Sequence, residues 1–273
     1  MSTAVMERQE TEKAVVAVKA IVGERYGRPS VLELRDVEPP EPADDEVLVR
    51  VHASSVNPAD WYGVTGFLFA RMGNGLRRPK VVAAGSDVAG RVEAVGAGVT
   101  TLRPGDEVFG TATGAWAELA CARELRLAPK PPGVSFADAA AMPIAACTAL
   151  QALRDHGRVA QGQSVLVNGA SGGVGTYAVQ LAKSLGARVT AVCSTRNVDL
   201  VRSLGADRVV DYAAEDFSCD GTRYDVLVDN VEQQIVALAK PREVVTGVVD
   251  NAVGAQRPCK LDVPGAADGG HPC

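Results

Sequence analysis

A run of small residues, "NGASGGVG" from Asn168 to Gly175, follows the apolar stretch "SVLV" and precedes a helical pattern. Small residues let backbone amides approach a ligand closely. The start of a helix adds unpaired N–H groups at the positive end of its dipole, which suits a diphosphate. Read from Ala170, the spacing is A-x-G-x-x-G, so Ala170, Ser171, Gly172, Gly173, Val174 and Gly175 form the candidate cradle. The competing reading is a packing turn that holds nothing. Context favours the cradle. A strand precedes it, and an amphipathic helix is predicted over Val174–Leu185, with Val174, Ala178, Leu181 and Leu185 on one face. The whole lies in a strand–helix–strand unit of about thirty residues.

A second cluster, "CSTRN", follows the next apolar strand. A site for NAD would place Asp or Glu there to bind the ribose 2′-hydroxyl. This chain offers Ser194, Thr195 and Arg196 instead, two hydroxyls and a fixed cation suited to a 2′-phosphate. NADPH is therefore expected over NADH. The alternative for Arg196 is a solvated residue at a helix start.

These clusters need a framework, and the chain is long enough to build one. It has 273 residues, 47% hydrophobic and 22% charged, a composition that fits two globular domains. A formal charge of −5 without a basic block argues against nucleic acid or an anionic membrane as the main partner. The early run Ala14–Val22 is too short to span a membrane and has the wrong flanks for a signal peptide, so the cytoplasm is expected. The six cysteines are scattered with no C-x-x-C pair, as in a reduced protein. Cys259, His271 and Cys273 lie close together, but their irregular tail makes a poor metal site.

Residues 1–13 are polar and expected to be disordered. Short β-rich runs punctuated by Gly and Pro occupy 14–134 and suggest a barrel or sandwich. Near Ser135 the texture changes. Ser135 and Asp138 make a capping-box pattern, Pro143 should break or kink the helix that follows, and Gly157 should end it. From there, short apolar strands alternate with helices through "YDVLVDNV", which predicts a parallel sheet with crossover helices over 135–250. Residues 251–273 lack periodicity and read as an irregular tail.

The order of these parts, with "ASSVNPADWY", "GSDVAGRVEAVGAGVTTLRPGDEVFG", "LAPKPPGVSFADAAAMPIAACTAL" and "LGADRVVDY", resembles the medium-chain dehydrogenase/reductase superfamily, in its zinc-free quinone-oxidoreductase-like branch. The resemblance spans roughly Ala14 to Val231 and implies an α/β protein: a GroES-like β-barrel domain followed by a Rossmann doubly wound parallel sheet. Zinc enzymes of this superfamily carry Cys where this chain has Asn57, and Gly-His-Glu where it has Gly85–Asp87. The four-cysteine structural lobe is missing too, so no metal is expected.

By similarity, Asn57 and Tyr62 would reach the nicotinamide and substrate, with Thr148 beside the nicotinamide amide. Gly172, Gly173 and Val174 would hold the pyrophosphate. Ser194, Arg196 and Tyr212 would surround the 2′-phosphate, and Asn230 would lie near the nicotinamide ribose. Thr148 could equally bond its own helix, Tyr62 be a surface aromatic, and Tyr212 a strand-end residue. The resemblance implies NADPH-dependent hydride transfer to quinones or α,β-unsaturated carbonyls, which accept hydride without a strong Lewis acid. The alternatives are an alcohol or aldehyde reductase, or a non-catalytic NADPH-binding protein. The resemblance decays after "YDVLVDNV", with Glu232 where a glycine is expected. The Rossmann sheet is therefore expected to be incomplete through a truncated or altered C-terminus, with stability, activity and homodimerisation all weakened.

Overall fold

The computed structural model describes residues 16–80, 83–217, 221–231 and 239–247. The expectations of a disordered 1–13 and an irregular 251–273, with Cys259, His271 and Cys273, lie outside the described residues.

Two sheets and a small ribbon organise the chain. The ribbon pairs β1 (Val18–Val22) antiparallel with β2 (Glu33–Val37). The antiparallel sheet contains β3 (Glu46–Ala53), β4 (Asp87–Val95), β5 (Glu107–Thr111), β6 (Leu119–Arg123) and β7 (Leu127–Pro129), in the order β6-β3-β4-β5-β7. On one face Val47 and Val49 of β3, Val88 and Val92 of β4 and Val108 of β5 pack with Leu102 and Ala115. On the other Leu48 packs with Val18 and Leu119, and Ala89 with Ala139 and Ala140, so the centres of β3 and β4 are covered on both sides. Between β3 and β4 the chain leaves the sheet for α1 (Pro58–Thr65) and α2 (Leu68–Asn74).

The passage to the second sheet follows local chemistry. Ser135 caps α3 (Phe136–Ala140), its Oγ accepting from the Asp138 amide at 3.1 Å. Pro143 then ends one helix and begins another at the first-turn position where its missing N–H costs nothing: α4 spans Pro143–Leu150 and continues as a π-helical turn, Gln151–His156, up to Gly157. Both the break and the stop agree with the sequence expectation.

The parallel sheet comprises β8 (Ser164–Asn168), β9 (Arg188–Cys193), β10 (Arg208–Asp211), β11 (Tyr224–Asp229) and β12 (Ala239–Gly247), in the order β10-β9-β8-β11-β12. α5 (Gly173–Ser184) joins β8 to β9 and α6 (Val198–Ser203) joins β9 to β10. β8 is apolar without alternation because both its faces are covered. Val165 and Val167 pack on Ala178, Val179 and Ala182 of α5, while Leu166 faces Val210, Phe217 and Leu227. The chain order reverses between β8 and β11, and ligands of open parallel sheets bind in the crevice beyond the strand ends at such a reversal. The Rossmann and GroES-like parts thus follow the expected order, with five parallel strands among the described residues.

Candidate active site

A cleft of about 770 Å³ opens where the carboxyl ends of β8, β9, β10 and β11 face α1 and α4. The structure brings Asn57, Tyr62, Thr148, Ser171, Gly172, Gly173, Val174, Gly175, Ser194, Arg196, Tyr212 and Asn230 to its wall. Ala170 and Thr195 are not on that wall. Ala170 is fully buried beneath the turn, its amide bonded to Val192 O at 2.9 Å, and Thr195 is exposed in the short 3-10 turn after β9.

The glycines of the turn do different jobs. Gly172 is the N-cap of α5, and the first intrahelical bond runs from Thr176 N to Gly172 O at 3.0 Å. The amides of Gly173, Val174 and Gly175 therefore stand at the helix start, before the ladder begins. A Cβ on Gly173 would meet nothing nearer than Ala145 Cβ at 4.0 Å, so the space beside it is free. A Cβ on Gly175 would strike the Gly169 carbonyl and lie 2.8 Å from Ala170 Cα. Gly175 lets helix and strand approach each other, whereas Gly173 leaves room for a ligand.

Across the cleft, Asn57 caps α1. Its backbone amide donates to Asp60 Oδ2 at 2.8 Å, and Asp60 Oδ1 accepts from Ser86 Oγ at 2.7 Å, fastening the helix start to the approach to β4. Both hydrogens of the Asn57 amide are taken, by Ser55 Oγ at 2.8 Å and Asp87 Oδ2 at 2.9 Å. The same side chain takes part in a capping box with the Asp60 backbone, so its amide is held in place at the cleft wall. Asp87 is wholly buried. Its carboxylate also accepts from Ser55 Oγ at 2.6 Å and, through Oδ1, from the Ile144 amide at 3.1 Å, in the first turn of α4. One carboxylate thus joins the antiparallel sheet, Asn57 and the helix that carries Thr148. Burial pushes its pKa up, opposed by the hydrogen bonds from Ser55, Asn57 and Ile144.

The Thr148 hydroxyl bonds its own helix, to Ile144 O at 2.7 Å, while its side chain still borders the cleft. Tyr62 stacks at a tilt on Phe67, ring centroids 5.5 Å apart. At the opposite end, Arg196 and Tyr212 are exposed, and Arg196 makes no ion pair among the described residues. Burial and nearby Asp211 raise the Cys193 thiol, keeping it neutral at pH 7, so this end of the cleft carries cationic but no thiolate charge.

Several residues escaped the sequence reading. Asn197 donates to Ser171 Oγ at 2.9 Å and Ser194 Oγ at 3.1 Å, tying the glycine turn to the loop after β9. Asn168, at the end of β8, donates to Asp229 Oδ1 at 3.0 Å, and its carbonyl accepts from Asn230 Nδ2 at 2.8 Å. Asn230 Oδ1 is buried without a protein partner at the cleft wall. An unpaired buried acceptor there suits a hydroxyl donor such as a ribose. Polar residues at or soon after the ends of apolar strands were the available signal for Asn168 and Asn197, whereas Asn230 was among the expected site residues.

A family model described as alcohol dehydrogenase GroES-like domain matches residues 43–185, and one described as zinc-binding dehydrogenase matches residues 173–248. The chain belongs to the medium-chain dehydrogenase/reductase superfamily, in its quinone oxidoreductase-like branch. It is similar to the chloroplastic quinone-oxidoreductase homolog of Spinacia oleracea, 39% identical over 215 residues, covering 74% of this chain and 64% of that protein. The chloroplastic NADPH-dependent alkenal/one oxidoreductase of Arabidopsis thaliana is 37% identical, covering 78% of this chain and 57% of that protein. Among solved structures, the quinone oxidoreductase from Coxiella burnetii superposes with a TM-score of 0.77 at 33% identity, covering 85% of this chain and 75% of that one. The chain thus spans just under two thirds of the spinach relative's length.

Proposed function

We propose that this chain is an NADPH-dependent reductase of quinones and α,β-unsaturated carbonyls that works without a metal. The observation that carries the reading is that one cleft holds the open glycine turn, an Arg196 without an ion pair among the described residues and the orphan acceptor of Asn230, all facing Asn57, Tyr62 and Thr148. The relatives named for quinone and alkenal/one reduction support it.

The residues fit the cofactor. The amides at Gly173–Gly175 would hold the pyrophosphate, Ser194, Arg196 and Tyr212 the 2′-phosphate, and Asn230 a ribose hydroxyl. NADPH supplies hydride when bound. The chain's own part is orientation and exclusion of water: Asn57 presents an amide held by Ser55 and Asp87, Tyr62 an aromatic wall with a hydroxyl donor, and α4 the flank with Thr148. Such a site suits acceptors whose own conjugation spreads the incoming negative charge. A zinc does not fit. Asp87 is saturated by three donors, Asn57 presents a neutral amide, and the described residues contain no group of three side chains able to hold a metal. This reading carries with it a cytoplasmic setting, drawn from the run Ala14–Val22, which fits neither a membrane span nor a signal peptide, and a homodimer, drawn from the family. No helix among the described residues is long and apolar enough to cross a membrane.

The test is NADPH oxidation by the purified chain with a quinone, an enone and a simple ketone, each with and without a chelator. Turnover of the first two, unchanged by chelator, is expected. Reduction of the ketone alone, or loss of activity with chelator, would overturn the reading. In Arg196→Ala, the dissociation constant for NADPH should rise about tenfold while that for NADH barely moves, because only the former has a phosphate for the exposed guanidinium. Parallel weakening of both dinucleotides would contradict that role.

A further inference from the structure

Half of the exposed large apolar side chains among the described residues fall in one short stretch, Val56 to Leu76, while the others lie scattered along the chain. Isolated exposed hydrophobics are ordinary, but a concentration of them beside a cleft marks an interaction site. The cleft and this stretch are physically continuous. Val56 and Tyr62 line the cleft, and Val56 is 79% exposed. The left-handed Gly66, φ 69°, ends α1 and turns the chain back so that the Phe67 amide bonds Tyr62 O at 3.1 Å and the Phe67 ring lies against Tyr62. Phe67 is itself 57% exposed. Leu68 and Met72, at i and i+4 of α2, share a face and are 64% and 69% exposed. An apolar lip thus runs outward from the cleft wall over Phe67 to Leu68.

The lip sits at a particular end. Arg196 and Tyr212, beyond β9 and β10, mark the charged end of the cleft, whereas Val56 and Tyr62 belong with Asn57 and Thr148 on the opposite wall. A group leaving the cleft across Tyr62 is therefore attached to the substrate and not to the adenosine. The side chains it meets first, Val56, Phe67 and Leu68, are uncharged, and the nearby Arg71 guanidinium is turned back onto the Gly66 carbonyl at 2.6 Å.

We propose that the preferred substrates carry an uncharged aliphatic tail, which leaves the cleft between Val56 and Tyr62 and lies along Phe67 and Leu68. This rests on the reductase reading and names the substrate class within it. Fully burying a methylene is worth about a fourfold change in binding. A tail covered on one side by an exposed lip gains roughly half that free energy, or about twofold per methylene.

The experiment measures kcat/KM for NADPH-dependent reduction of unbranched vinyl ketones from four to ten carbons. The expected result is a rise of about twofold per methylene beyond the sixth carbon, carried by KM. In Phe67→Ser/Leu68→Ser the ten-carbon substrate should lose that gain, while Leu125→Ser, which removes an exposed leucine far along the chain, should keep the wild-type slope. A flat series in the wild type, with the four-carbon ketone still turned over, would overturn the tail site and leave the reductase reading standing. Absence of turnover with every member and with quinones would remove both. Dissociation of a dimer by the double serine variant would also overturn the proposal, assigning the lip to a second copy of the chain.

Discussion

Gly175→Val is expected to destabilise the fold by about 3 kcal/mol or more, because overpacking against backbone cannot be relieved by a rotamer change. The new Cβ would collide with the Gly169 carbonyl and crowd Ala170 Cα at 2.8 Å, and Ala170 is fully buried beneath β9. Helix α5 would have to move off the strand it covers, carrying Ala178, Val179 and Ala182 out of the core. For a chain of this size the loss corresponds to a fall in Tm of roughly 6–12 °C, readable by calorimetry. Two positions earlier the same substitution should behave differently. Gly173→Val has open space around its Cβ, and valine is a better helix former than glycine, so stability should stay within about 1 kcal/mol of wild type. Equal destabilisation by the two variants would show that the turn is only a packing device.

The second large effect belongs to Asp87. Asp87→Ala removes the buried acceptor that the Ile144 amide, Ser55 and Asn57 share. Unpaired buried donors cost about 1–3 kcal/mol each, so a loss of about 3 kcal/mol is expected by urea unfolding. Asp87→Asn keeps the shape and removes the charge. With its carbonyl turned to Ser55 and Asn57 its N–H₂ stands opposite the Ile144 amide, and turned the other way it stands opposite the Asn57 N–H₂. Either way a donor faces a donor, so a loss of about 1–3 kcal/mol with kcat/KM lowered at least tenfold is expected. Wild-type stability and activity in Asp87→Asn would show that the link this carboxylate makes between Asn57 and α4 is immaterial. The pH dependence has a definite sign. Burial raises the folded-state pKa of Asp87, so the folded chain binds the proton more tightly than the unfolded one. Its charged form weakens the fold at neutral pH, and that penalty is relieved as pH falls through the raised pKa towards the ordinary carboxylate value. The Asn variant should lack this component.

Much of this arrangement was legible along the chain because it depends on local order. The apolar strand, the small residues and the amphipathic helix announce the turn at Asn168–Gly175, and the polar loops after β9 and β11 fall at the ends of strands whose period is plain. The break at Pro143 follows from the missing N–H of proline. What was not legible depends on segments far apart in sequence. Asp87 meets Ile144 across fifty-seven positions and Asn57 across thirty, so its part in fixing Asn57 has no local mark. The spacing A-x-G-x-x-G cannot tell Gly173 from Gly175, since one faces free space and the other the preceding turn. Asn197 looks like a helix-start residue until the fold sets it against Ser171. The buried place of Ala170, within the expected cradle, likewise follows from the sheet and not from the spacing.

The most direct measurement is an equilibrium titration of the wild-type chain and Gly173→Val with NADPH and NADH, followed by calorimetry. Saturable one-to-one binding of NADPH by the wild type is expected, with NADH about tenfold weaker and Gly173→Val folded but unable to bind either. A wild-type chain that takes up no dinucleotide, or a Gly173→Val variant that binds as the wild type does, would contradict the assignment of the glycine turn as the grip on a nucleotide diphosphate.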